Sequence, residues 1–163
     1  MPVESADPIL EMVDSPWAVG CSGGGFTNAS ASLFAHVGSP WPAKDQANVL
    51  SPMKINGQTY PKGVGMLANG WVQYALSGLA TQFHAEIGLD DRAGPQARVV
   101  FWVWLDGNLA YDSGIISPGA ATQVFDLGVQ WVQVLTLEVL TAQRGGATGG
   151  DVCDWGNAYL VCY

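Results

Sequence analysis

The chain has 163 residues, 48% hydrophobic and only 12% charged, with 21 glycines and 9 prolines. That length suits one domain with a sizeable core, and a turn-rich composition without helix periodicity points to the all-β class. Six basic against 14 acidic residues leave a net charge of −8, which argues against nucleic acid and anionic membranes as partners, and no run of 18 apolar residues offers membrane insertion.

Residues 1–38 are acidic at first and then rich in Gly, Ser and Ala (CSGGGFTNASASLFAHVG). They read as an N-terminal arm, tied down either by the domain or by a neighbouring chain. In the second case the arm joins a homo-oligomer or a larger protein assembly. The start, MPVESADPILEMVDS, lacks the basic residues and apolar stretch of a signal peptide; either a leader has been removed or export by that route does not occur. The domain itself is assigned to residues 39–163.

Within it, Lys54 to Tyr60 (KINGQTY) predicts two short strand pieces around an Asn56-Gly57 turn, and Trp71 to Leu76 predicts an alternating strand. Thr81 to Leu89 places Phe83, Ala85, Ile87 and Leu89 on one face, with His84 and Glu86 on a solvent-exposed other face. Val99 to Leu105 is an unbroken apolar run of β-branched and aromatic types, and Asp106-Gly107 favours a tight hairpin into Asn108 to Asp112. If Phe101, Val103 and Leu105 face inward, the period of two sends Trp102 and Trp104 outward. There they need a cover: the arm, or a partner at an interface. Thr122 to Leu127 and Val129 to Leu140 follow as strands, the latter with Leu135, Leu137 and Val139 inward. Gln143 to Gly150 is a glycine-rich loop, and Trp155 to Tyr163 closes the chain as a last strand. Short strands at regular spacing predict a single β-sandwich of the jelly-roll type.

Catalytic patterns are wanting. His36 and His84 lie near no Ser or Cys in a recognisable motif, and the adjacent Asp90 and Asp91 point to opposite sides of a strand end, unlike a glycosidase pair at a set separation. The chain is therefore read as not an enzyme. Cys21, Cys153 and Cys162 match no zinc spacing and read as buried thiols, or as one disulfide with a spare thiol.

The blocks WPAKDQAN (from Trp41), INGQTYPKGVGMLA, IGLDD, VVFWVWLDGNLAYDSG and DVCDWGNAYL, in this order and spacing, resemble the NPCBM family over about Ser39 to Leu160. The resemblance implies a galactose-binding-like jelly roll and a non-catalytic carbohydrate-binding module, often appended to glycoside hydrolases. Asp90, Asp91, Asp151, Asp154 and Trp155 match the family pattern, whereas Leu67 and Val152 stand where members commonly carry histidine. A sugar site needs an aromatic platform and a few polar groups for the hydroxyls, and the candidates are Trp41, Asn69, Asp91, Asp154 and Trp155. Jelly rolls of this superfamily often hold a structural calcium, for which Asp151 beside the glycine-rich loop is the candidate ligand. The expected function is recognition of galactose-type or related glycans outside the cell. The alternative is a structural or decoration subunit of a larger assembly such as a phage virion, displayed on the virion surface and using the same fold for protein contacts.

Overall fold

A computed structural model describes residues 52–143 and 150–162, together with the short pieces 9–11, 34–36, 43–44 and 47. All regular structure among the described residues is strand: β1 (Ile9–Glu11), β2 (Phe34–His36), β3 (Ala43–Lys44), β4 (Met53–Ile55), β5 (Gln58–Tyr60), β6 (Gly63–Leu67), β7 (Gly70–Ala75), β8 (Ala80–Leu89), β9 (Val99–Leu105), β10 (Asn108–Asp112), β11 (Gln123–Gly128), β12 (Val134–Thr141) and β13 (Val152–Cys162). They form two sheets with antiparallel pairing throughout. The first runs β11-β8-β13-β6-β3, with β1 also paired to β13; the second runs β10-β9-β12-β7-β2; β4 and β5 form a separate hairpin. Two pieces of the segment read as an arm thus belong to the sheets, one on β13 and one at the edge of the second sheet.

Alternation decides what lies between the sheets. Phe83, Ala85 and Ile87 of β8, Phe101 and Val103 of β9, and Leu135, Leu137 and Val139 of β12 are fully buried there, as their spacing predicts. Trp155 joins them from β13, its ring edge-on to Phe101 at 5.0 Å. Both hairpins carry the backbone their dipeptides favour: Asn56-Gly57 and Asp106-Gly107 each have φ near +49° and +82°, the pattern of a type I′ turn.

Two boundaries differ from the sequence expectation. The strand expected from Val129 begins only at Val134, because Asp106 holds the preceding residues in a turn: its carboxylate accepts the N–H groups of Gln133 (3.0 Å) and Val134 (2.8 Å). The last strand starts three residues earlier than expected, at Val152, and lies in the middle of the first sheet.

The β4–β5 hairpin covers the outer face of that sheet. Met53, Ile55 and Tyr60 form a second small core there with Ala47 and Val152. The approach is close enough that a Cβ on Gly156 would stand 2.6 Å from the Tyr60 ring, so only glycine fits beneath it.

Candidate functional site

The acidic residues singled out from the sequence converge under this hairpin and fasten it. Asp91 is exposed, yet both carboxylate oxygens are taken up by the turn, accepting the N–H groups of Asn56 (2.8 Å) and Gly57 (2.9 Å). Its own N–H donates to the Lys54 carbonyl at 2.7 Å. Asp90 is 2% exposed and accepts from the backbone N–H groups of Lys54 (3.1 Å) and Arg92 (2.9 Å). The Arg92 guanidinium adds a bidentate pair at 2.8 and 2.9 Å and donates onward to the Pro52 carbonyl. Burial alone would raise the Asp90 carboxyl; the hydrogen bonds from Arg92, Asp154 and the backbone outweigh it and hold it at about 2.

Asp154 has the opposite fate. It is fully buried on β13, and burial first, then its hydrogen bond to Asp90 and the Asp90 charge, push it up to about 10. Neither Asp154 oxygen meets a donor at full hydrogen-bond geometry. Burial beside ionised Asp90 favours the protonated form of Asp154 at neutral pH, the form able to donate to Asp90. Such a clasp does not make a hydrolytic dyad, which needs carboxyls about 5–9.5 Å apart with the sugar between them.

The remaining candidates are placed as follows. Of the two candidates on β13, neither Asp154 nor Trp155 has exposed surface: Trp155 is part of the main core and Asp154 lies under the hairpin. Asn69 is half-buried and its Oδ1 accepts the Thr141 N–H at 3.0 Å. Trp41 lies outside the described residues. Leu67 and Val152, where the family commonly has histidine, are direct cross-strand partners, and both belong to the small apolar core under the hairpin. His84 is not the loose surface residue expected from the sequence; its Nδ1 lies 2.8 Å from Asp126, its Nε2 3.6 Å from Glu86, and its ring stacks on Tyr159.

Asp151, the calcium candidate, is also fully buried, and its carbonyl accepts from the Ala68 N–H at 3.3 Å. Calcium takes six to eight oxygen ligands. Among the described residues no three His, Cys, Asp or Glu side chains come together as a metal site, and residues 144–149 of the glycine-rich loop beside Asp151 lie outside the described residues.

Trp102 and Trp104 do stand on the outward face of the second sheet, half-buried, with their rings edge to face at 5.6 Å. The register sets two rows across this face: Leu109, Trp104, Thr136, Gln73, and Asp112, Trp102, Glu138, Trp71. Large rings on β9 and β7 flank shorter side chains on β12, leaving a trough of about 580 Å³ walled by Trp104 and Trp71 and floored by Thr136 and Glu138. The Trp104 indole N–H donates to Glu138 Oε1 at 2.9 Å. Sequence reasoning singled out Trp104 but missed Trp71, Gln73, Thr136 and Glu138. Alternation puts each of them outward, but only a three-strand register brings them together.

A family model described as the NPCBM/NEW2 domain matches residues 28–161. The chain belongs to the NPCBM/NEW2 family. NPCBM/NEW2 domains are non-catalytic binding modules, a carbohydrate-binding family. This NPCBM/NEW2 chain is 35% identical over 125 residues, 73% of its length, to a putative endo-alpha-N-acetylgalactosaminidase of Renibacterium salmoninarum, and spans 8% of that protein. Among solved structures it is similar to the CBM51 of Clostridium perfringens GH95 in complex with methyl-galactose, with a TM-score of 0.73 and 23% identity over 93% of this chain and 99% of that one. It is also similar to tandem CBM51 modules of a family 98 glycoside hydrolase from Streptococcus pneumoniae, with a TM-score of 0.71 and 19% identity over 100% of this chain and 52% of that one. At such identities the likeness is one of fold: a galactose-binding-like jelly roll.

Proposed function

We propose that this chain is a glycan-recognition module for galactose-type sugars, working outside the cell beside a glycoside hydrolase. The observation that carries the reading is the 35% identity to a stretch amounting to 8% of a putative endo-alpha-N-acetylgalactosaminidase. A stretch of that size in an enzyme named for a galactosamine linkage suits an accessory that holds the substrate while chemistry proceeds elsewhere. Sugar recognition pairs a ring's apolar C–H face with an aromatic side chain and its hydroxyls with a few fixed polar groups. The sandwich offers both on rigid strands, which favours the same reading.

The test is a glycan array probed with the purified chain, in calcium and in chelator. Binding to galactose- or N-acetylgalactosamine-terminated glycans is expected under both conditions. Silence across the array, or binding confined to glucose and mannose structures, overturns the proposal.

A further inference from the structure

We infer that the glycan site of this chain is the trough on the outer face of the second sheet, and that it takes a neutral oligosaccharide lengthwise along β12. The inference rests on the glycan reading above and adds where, and in what form, the sugar binds.

The first ground is that the described residues at the other candidate place are closed. Leu67 and Val152 pair as an aliphatic patch inside a small core, Asp90 and Asp154 are sealed under the hairpin, and Trp155 belongs to the main core. Among the described residues, a hydroxyl brought against these two aliphatic side chains would lose its water partners and gain none from them.

The second is the shape and chemistry of the trough. Trp104 and Trp71 lie two strands and one alternation step apart, about 12 Å between backbones from standard sheet spacings, on either side of β12. Trp104 holds one oxygen of Glu138, fixing the carboxylate's orientation before any ligand arrives, while Thr136 and Gln73 add a hydroxyl and an amide within the same lining. Aromatic walls over a polar floor match the two-faced character of a pyranose. An interface for a protein partner concentrates apolar anchors at its centre instead.

The third is charge. Asp106 and Glu138 line the trough, and among the described residues no lysine or arginine does. In a chain of net charge −8 this disfavours sialylated, sulfated or uronate-bearing glycans and leaves neutral ones.

The fourth concerns length. Asp106, Gly107 and Val134 line one end of the trough, and Trp131, in the turn before Val134, is 73% exposed with φ near +67°. Bulky side chains rarely adopt that backbone conformation, and it persists only where surroundings enforce it. Here they do: Asp106 holds Gln133 and Val134, the Gly78 N–H donates to the Val132 carbonyl (3.0 Å), and the Leu76 N–H donates to the Gln133 carbonyl (2.8 Å). A rigid turn that presents an indole to solvent three residues from trough-lining Val134, within about 10 Å of chain, extends the aromatic surface past the first sugar.

The experiment titrates the full chain with methyl β-galactoside, lactose, a neutral galactose-terminated tetrasaccharide and its sialylated counterpart. Calorimetry and the indole N–H resonances follow binding, and thermal melts confirm that each variant is folded. Affinity is expected to rise from galactoside to tetrasaccharide and to fall on sialylation. Trp104→Ala should weaken every neutral ligand by at least about tenfold. Glu138→Gln, which keeps an oxygen for the Trp104 N–H, should weaken them in the same sense, and Trp131→Ala should remove only the gain with length. Glycan binding that survives both Trp104→Ala and Glu138→Gln overturns the site while glycan recognition stands. Equal affinity for galactoside and tetrasaccharide overturns the lengthwise mode. No binding to any ligand overturns site and function together.

Discussion

Asp90→Ala isolates the clasp between the hairpin and the first sheet. The substitution deprives the Lys54 N–H, the Arg92 N–H and the Asp154 proton of their common acceptor. An unsatisfied buried donor costs about 1–3 kcal/mol, with the low end fitting the two part-buried backbone groups and a middle value fitting sealed Asp154. The Arg92 side chain is 39% exposed and turns to water, so the lost ion pair adds little. The sum is about 3–4 kcal/mol, a large share of the roughly 5–15 kcal/mol that holds a typical domain together. For a domain of this size it lowers the melting temperature by about 10 °C. Thermal unfolding at pH 7, followed by tryptophan fluorescence and repeated in urea, reads the loss. A shift smaller than about 3 °C would mean that these carboxylates do not fasten the hairpin, and the reasoning would fail.

Acidity gives a second check with the sign fixed in advance. The Asp90 contribution is complete above its ordinary value of 3.8 and drains as pH falls toward about 2. The protonated Asp154 contribution is complete below 3.8 and drains as pH rises toward about 10. Asp154→Asn, which cannot ionise, should therefore gain stability relative to the parent between pH 5 and pH 9; parallel melting curves for the two chains would contradict the shared proton. Gly63 has φ near +140°, and a Cβ there would stand 2.0 Å from the Trp155 carbonyl oxygen. Gly63→Ala should cost at least about 3 kcal/mol in urea unfolding, and an unchanged midpoint would show that β6 and β13 are not packed this closely. Cys153 is free and buried, and burial, then the charges of Asp154, Asp151 and Asp90, push its thiol well above the ordinary range. Peptide mapping after treatment with a thiol reagent should find Cys153 modified only in denaturant; rapid labelling of the native chain would refute the burial.

The frame of the fold was legible because it depends on short-range signals. Asn56-Gly57 and Asp106-Gly107 announce their turns, and Phe83, Ala85 and Ile87 or Leu135, Leu137 and Val139 announce a buried face through a period of two. Trp155 could be read as strand, but not as core rather than platform, since both roles use the same ring. Asp154 was hidden for another reason. It obeys alternation, facing away from Cys153 and Trp155 of the main core, but the hairpin covers that outer face, and its partner Asp90 and nearby Arg92 lie more than sixty residues earlier. The turn at Trp131 was likewise masked by the apolar sequence around it, the deciding hydrogen bonds coming from Asp106 on another hairpin. The trough sits at the limit of what one sequence displays: each wall and floor residue obeys its own strand, and only the register between strands makes them neighbours.

The proton held by Asp154 also changes what the folded chain is as an electrolyte. With its carboxyl pushed up to about 10, Asp154 adds no charge to the native molecule at neutral pH, and its charge appears when the chain opens and the carboxyl meets water. Unfolding is thus an acid release as well as a loss of packing. The heat measured for it depends on the buffer that takes up the proton, and native and denatured forms differ in electrophoretic charge without any residue being modified.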